Sequence, residues 1–352
     1  MRVTKLRRAL AGIGIAAVTF AAACGSGDTV DVSSADLGPS GDSSWQEVID
    51  KAKQEGSVTY YSGQATDNLQ TAAAAFESAY GIKVDIVRDN DANLQTKLAA
   101  EESTGKQVAD VVASAAKPWV DERVAHDYFV PVTGPAFSAP EFDAAKFLHD
   151  DTVFYSSAAV LTYAWNTDRV PGGVSGYKDL LAPELAGGKI GVILPVSTAI
   201  VGFYDYLDET VSPDYVEKLA AQRPRTYSGA QAIAQALTSG EIAAAVYTLP
   251  LTTEKEKGAP VDFGLSSPVF GAPFYTGVAA KAPHPNAAQL FANFLVTKAG
   301  QNAVANRAGA VLPDIPTAST SADGIWTSTR TLTADDTVAF RGEFERLFGA
   351  SQ

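Results

Sequence analysis

The stretch from Val58 to Val87, VTYYSGQATDNLQTAAAAFESAYGIKVDIV, reads as strand, helix, strand. Val58–Ser62 is rich in β-branched and aromatic residues, and Ser62-Gly63 interrupts it. Asp67 can cap a helix through TAAAAFESAY, whose alanines favour the helix and whose run stops at Gly81. IKVDIV then returns to a strand pattern. A second helix runs from Asp91 through NLQTKLAAEEST to Gly105, and ADVVAS (109–114) is apolar enough for a strand buried on both faces. This β-α-β-α-β order predicts an open α/β sheet, which binds ligands at the carboxyl ends of its strands.

The adjacent Tyr60 and Tyr61 raise the question of paired phenolates around Fe³⁺. Successive side chains of a strand point to opposite faces, so the two cannot clasp one ion while the strand continues. The alternation places Tyr60 in the core and turns Tyr61 toward a cleft mouth ahead of Ser62-Gly63.

At 352 residues the chain exceeds one ordinary core and suggests two lobes. Its 46% hydrophobic content describes a globular protein. The amino terminus departs from that average. Arg2, Lys5, Arg7 and Arg8 precede a short apolar run and Ala21-Ala22-Ala23, which reads as an export signal over residues 1–23. The only cysteine, Cys24, follows directly and is the expected lipidation site, although Ala21 stands where a leucine is usual. Stable anchoring then takes two or more acyl chains. Residues 24–44 are Gly/Ser/Asp-rich and read as a flexible tether. Gly12, Gly14 and Ala17 spell a dinucleotide-binding pattern, but no strand precedes it.

Removing residues 1–23 removes four basic and no acidic residues, which takes the net charge from −13 to −17. Such a charge argues against nucleic acid as a partner. A single small anion remains compatible, because helix N-termini bind one locally. With one cysteine, neither a disulfide nor a thiolate zinc site is expected.

Further along, SAAVLTYAWNT (157–167) reads as one long β segment, followed by KDLL and the strand pattern GGKIGVILP. Ser197 and Thr198 can cap AIVGFYDYL, GAQAIAQALTSG is a helix, and AAAVYTLP is a strand. Asn286 can cap AAQLFANFLVTKA, with Leu290, Phe291, Phe294 and Leu295 on one face. Ser44 with Glu47, and Thr333 with Asp336, form capping boxes for a first and a last helix.

The chemistry of catalysis is not displayed. His126, His149 and His284 lie far apart without metal-ligand spacing, and no nucleophile elbow, P-loop or H-E-x-x-H occurs. No catalytic residue, cofactor or metal ligand is therefore assigned. Tyr61, Tyr247 and Tyr275 each fall at the end of a strand pattern beside Ser, Thr or Pro, where an aromatic face and a hydroxyl suit a small polar ligand.

At KAPHPNAAQLFANFLVTKAGQ, Lys281 to Gln301, the chain resembles the extracellular solute-binding proteins of ABC importers. More narrowly it is similar to the group that binds ferric iron, thiamine, polyamines, phosphonates and sugar phosphates. VTYYSG, GIKVDIV, ADVV, YAWNTDRV, KDLLAPELAGGKI, TSGEIAAAVY and KGAPVDF support the match, over roughly Trp45 to Asp314. The resemblance implies an α/β fold of the type II periplasmic-binding-protein kind, with two lobes and two β hinge crossings near Tyr155–Thr167 and Phe270–Ala280. It places lobe 1 at 45–160 and 276–352 and lobe 2 at 161–275. It implies a monomer outside the cytoplasm, no enzyme activity, and delivery of a small solute to a permease and ATPase complex.

For the solute, Pro195-Val196-Ser197-Thr198-Ala199 is similar to the family's anion-binding turn, with Thr198 in place of a glycine. Ser62, Gly63, Ser114, Ser228 and Tyr247 are companions by position, together with Tyr61 and Tyr275. Ferric-binding members of the histidine type carry a histidine where Ala65 stands here, and a glutamate that Val112–Lys117 does not offer. The expected solute is an organic anion such as a phosphonate or phosphate ester, or a ferric chelate. Direct Fe³⁺ binding through tyrosines is the alternative, and a membrane-anchored hydrolase a further one.

Overall fold

The computed structural model describes residues 32–326, 328 and 330–349. The signal segment and Cys24 lie outside the described residues. The first part of the chain alternates as its pattern demands: α1 (Ser43–Glu55), β1 (Ser57–Ser62), α2 (Thr66–Tyr80), β2 (Lys83–Arg88), α3 (Asp91–Thr104), β3 (Val111–Ser114), α4 (Lys117–Ala125) and β4 (Phe129–Val130). After α5 (Ala144–Phe147), a hairpin joins β5 (Leu148–His149) to β6 (Val153–Val160). The middle holds β7 (Thr162–Asn166), β8 (Ile190–Ile193), α6 (Thr198–Thr210), α7 (Tyr215–Ala221), β9 (Arg225–Tyr227), α8 (Ala230–Thr238), β10 (Ala244–Thr248), α9 (Thr252–Glu256) and β11 (Val261–Gly264). The rest comprises β12 (Val269–Ala279), α10 (Pro285–Leu295), α11 (Lys298–Val304), β13 (Gly309–Ala310), β14 (Thr320–Ser321), β15 (Ile325–Trp326) and α12 (Ala334–Phe348).

These strands form two sheets, one per lobe. The first is ten-stranded and runs β14-β13-β6-β12-β3-β1-β2, with β4, β5 and β15 pairing beside it; the second is β11-β7-β10-β8-β9. Strand directions fix where the lobes meet. β1 and β3 are parallel, and β12 is antiparallel to both β3 and β6, so β6 runs the same way as β1 and β3. β6 leaves the first sheet at Val160 and enters the second as β7 after the single residue Leu161. In the second sheet β10 runs antiparallel to β7, while β8 and β9 run with β10. The carboxyl ends of β1 and β3 therefore face those of β8, β9 and β10 across the boundary.

Each lobe has its own core. In the first, α10 buries Leu290, Phe291, Phe294 and Leu295 completely, as their shared helical face requires. Phe76 meets Phe291 edge-on at 5.0 Å and Phe294 at 5.4 Å, and Tyr60 meets Phe291 at 5.1 Å. Full burial of one such ring contributes about 3 kcal/mol. The second core gathers Phe203, Tyr204, Tyr206, Tyr215 and Leu237 from α6, α7 and α8.

Several local expectations change. The 157–167 segment is two strands in two sheets, because the chain switches sheets at Leu161. The return crossing spans residues 265–268, ahead of the expected Phe270–Ala280, since β12 lies wholly in the first sheet. The expected lobe division at 275/276 accordingly cuts β12. Nor does the chain after 276 stay in the first lobe. The side chains of Phe340, Phe344 and Phe348 on α12 stack around Tyr204 of α6, and Phe344 belongs to the second core.

The caps change as well. Asp42, not Ser44, caps α1 by accepting from the backbone N–H groups of Ser44 and Trp45. Glu55 serves α10, accepting from the N–H groups of Asn286 and Ala287 and from the Asn286 amide. Asp67 sits in the first turn of α2 behind Ala65, and only the Thr333–Asp336 box is present as read.

Candidate functional site

The boundary between the sheets is built from strand ends and helix starts. Ser62 and Gly63 end β1, and Ser114 ends β3. On the opposite side Ser197 and Thr198 follow β8, Ser228 follows β9, and Tyr247 lies in the last turn of β10. The structure thus brings seven of the nine expected ligand residues to one boundary. The other two are turned elsewhere.

Tyr61 is buried and donates its hydroxyl to Glu101 Oε1 at 2.6 Å. Burial, then that carboxylate, pushes its pKa far above the ordinary value. The expected cleft-facing tyrosine is instead part of the packing between α3 and the sheet. Glu101 itself is 8% exposed and also accepts the N–H groups of Val108 and Ala109. Its spacing of seven and three residues after Leu94 and Leu98 marked it as a helix-face residue turned inward. Tyr275 likewise faces α4, where Tyr155 donates to its hydroxyl at 3.4 Å.

On the first lobe the serine hydroxyls are already engaged. Ser62 donates to Gln64 Oε1 at 3.0 Å, and Ser114 to Asp91 Oδ1 at 2.6 Å. Gln64, which no motif singled out, ties this corner together: its amide donates to Ser157 at 2.7 Å, and it accepts from the buried Tyr60 hydroxyl at 2.7 Å. A Cβ at Gly63 would lie 3.8 Å from Asp91 Oδ1, so this carboxylate stands beside the strand end.

The second lobe is different. Ser197 and Ser228 are exposed, and Val196 beside them is 55% exposed. Tyr247 is half-buried, edge-on to Phe203 at 4.9 Å, and burial pushes its hydroxyl up to about 12. It stays protonated near neutrality and can donate to a ligand.

Helix capping separates this boundary from the remainder of the fold. Side chains cap α1, α3, α11 and α12 through Asp42, Asn90, Thr297 and Thr333. No side chain caps α2, α4, α6 or α8, which begin just past the carboxyl ends of β1, β3, β8 and β9. Each open helix start carries roughly half a positive charge and backbone N–H groups in need of acceptors. Such starts take up an oxyanion without any basic side chain.

One constellation outside this boundary has the outline of a hydrolytic site. Ser57 Oγ lies 3.5 Å from His284 Nε2, and His284 Nδ1 lies 2.9 Å from Asp110 Oδ2. Its surroundings are those of a clasp. Asp110 is fully buried and also accepts the N–H groups of Thr59 and His284, at 2.7 Å each. The nearby helix start of α10 is occupied by Glu55, which puts a carboxylate where acyl chemistry needs donors for an oxyanion. Among the described residues no group of three His, Cys, Asp or Glu side chains is placed to hold a metal ion.

A sequence profile described as bacterial extracellular solute-binding protein matches residues 58–309. Comparison with curated protein sequences gives no match. Among solved structures, a substrate-binding protein of an ABC transporter from Agrobacterium tumefaciens superposes with a TM-score of 0.63 at 14% identity, covering 84% of this chain and 96% of that one. Iron-bound HitA from Pseudomonas aeruginosa gives 0.59 at 18%, covering 84% and 99%. AfuA from Actinobacillus pleuropneumoniae, with fructose-6-phosphate bound, gives 0.54 at 23%, covering 83% and 96%. At these identities the likeness establishes a shared two-lobed fold.

Proposed function

Because this chain belongs to the bacterial extracellular solute-binding proteins, which serve ABC importers outside the cytoplasm, we propose that its own solute is a small organic anion held between the lobes. The observation that carries this reading is the set of open helix starts at α2, α4, α6 and α8, all on one boundary. The anionic group would seat on the second lobe, against the N–H groups that open α6 and α8 and the hydroxyls of Ser197, Thr198, Ser228 and Tyr247. The remainder of the solute would lie along Ser62-Gly63 and Ser114, where Asp91 favours a hydroxyl or ammonium over a second anion. The fructose-6-phosphate of AfuA is a solute of this chemistry.

Direct Fe³⁺ binding has support from the iron carried by HitA. Here, however, Tyr61 is engaged with Glu101, Tyr247 stands alone at the opposite lobe, and Ala65 occupies the start of α2. A ferric chelate with an exposed carboxylate fits the same helix starts better than the naked ion. The family is one of binding proteins, and no step of covalent chemistry is assigned to this chain.

Delivery would proceed by lobe closure and docking of the closed form on a permease, with an ATPase driving transport. Lipidation at Cys24 would hold the protein at the outer membrane surface as a monomer, with residues 24–44 as tether. A thermal-shift panel of phosphonates, sugar phosphates, thiamine, polyamines and ferric citrate tests the solute. At a hundredfold excess over Kd a true ligand stabilises by about 2.7 kcal/mol. Stabilisation by polyamines alone, or by none of the panel, would overturn the anion reading. Persistence of Cys24→Ser protein in washed membranes would refute the anchor.

A further inference from the structure

A cavity of about 340 Å³ lies on the first lobe between α4, β12 and the β5–β6 hairpin, on the face of the sheet to which Tyr275 turns. Val120, Val124 and Val153 give it apolar walls, and His149, Tyr275 and Lys117 its polar points. The hairpin that carries His149 is held by two successive left-handed residues, Asp150 and Asp151, at φ 49° and 54°. It presents the imidazole against Tyr155, with ring centroids 5.0 Å apart, and 6.0 Å from Tyr275.

Two polar groups in this cavity lack partners. His149 Nε2 is buried and makes no hydrogen bond among the described residues. Tyr155 donates to Tyr275, which leaves the Tyr275 proton seeking another acceptor. The rim adds no free cation, since Lys117 is paired with both carboxylate oxygens of Asp121, at 2.8 and 2.7 Å. Burial and the neighbouring Lys117 lower the His149 pKa, which keeps the imidazole neutral. A buried nitrogen without a partner costs roughly 1–3 kcal/mol, so the site favours an occupant that satisfies it.

We propose that this cavity is a second binding site, outside the boundary between the lobes, for a small uncharged aromatic molecule bearing one hydroxyl group. That hydroxyl accepts from Tyr275 and donates to His149 Nε2, and the ring packs on Val120, Val124 and Val153. A charged molecule is disfavoured because the Lys117–Asp121 pair neutralises the rim. Phenol is the simplest probe of this chemistry.

The test is a phenol titration of the purified protein labelled with ¹⁵N at histidine, with His126 and His284 as internal references. The expected result is a saturable shift of the His149 ring nitrogens alone. Affinity falls about fivefold in Tyr275→Phe, which removes one donor, and is lost in Val124→Trp, which fills the cavity. Near-ultraviolet circular dichroism confirms that each variant is folded; if Val124→Trp is not, Tyr275→Phe decides. A non-saturating shift, equal shifts at all three histidines, or undiminished affinity in the folded variants would show a cavity that holds only water.

Discussion

Asp110 shows how much can depend on one carboxylate. It is fully buried, and its oxygens accept the N–H groups of Thr59 and His284 and face the His284 ring. Substitution Asp110→Ala leaves these donors stranded and is expected to cost about 3–5 kcal/mol, as for a broken buried pair; urea denaturation at neutral pH measures it. Neither residue stood out in the sequence. Asp110 and His284 are separated by most of two lobes, and pattern reading has no handle on so distant a partnership. His149 supplies a pH effect. Its folded pKa lies below the model value of 6.5, first through burial and then through Lys117. The unfolded chain therefore takes up the proton more readily. Stability from this group is complete above about pH 6.5 and is lost as the pH falls from there through the folded pKa. Melting temperatures between pH 8 and 5 should show that loss, and His149→Phe should flatten it.

At the scale of elements, alternation was legible because strands and helices here follow their own periods, with Gly56, Gly81 and Gly105 closing helices in the left-handed conformation. Caps were less legible. Ser44 and Asn286 had the right chemistry, but Asp42 and the distant Glu55 reach the N–H groups first. The open helix starts are testable by closing one. Gly229 precedes α8 with φ −173°, and a Cβ there meets nothing within 4 Å. Gly229→Asp should stabilise the free protein by about 1 kcal/mol through capping. It should also weaken the anionic solute about tenfold, because a resident carboxylate then occupies that helix start. Calorimetry on the free and titrated protein separates the two effects. Equal or tighter binding would mean that the α8 start does not touch the anion.

For the whole molecule, the tyrosines show why the site was harder to read than the fold. Strand alternation told Tyr60 from Tyr61, but not which face of the first sheet borders the second lobe. That is set by the crossing at Leu161 and by which helices cover each face. One ion pair joins the lobes directly. Arg307, just after α11, donates to Thr253 at 2.9 Å and to both oxygens of Glu256 on α9, at 3.2 and 3.0 Å. Both side chains are more than one-third exposed, so the pair is worth under about 1 kcal/mol. Glu256→Gln should leave the melting temperature nearly unchanged. It should weaken solute binding about two- to fivefold, and less at high salt, since only the relation between the lobes is altered. Isothermal titrations at two ionic strengths check this.

The placement of α12 has one more consequence. α1 packs against α10 on the first lobe, whereas α12, after β15 has paired with the start of β12, lies on α6 and α7 of the second. The two ends of the folded chain therefore ride on different lobes. Dyes attached near residues 32 and 349 would form a molecular ruler across the hinge without touching the ligand surface. The gap between the protein's own termini would then report, molecule by molecule, when the lobes open and shut.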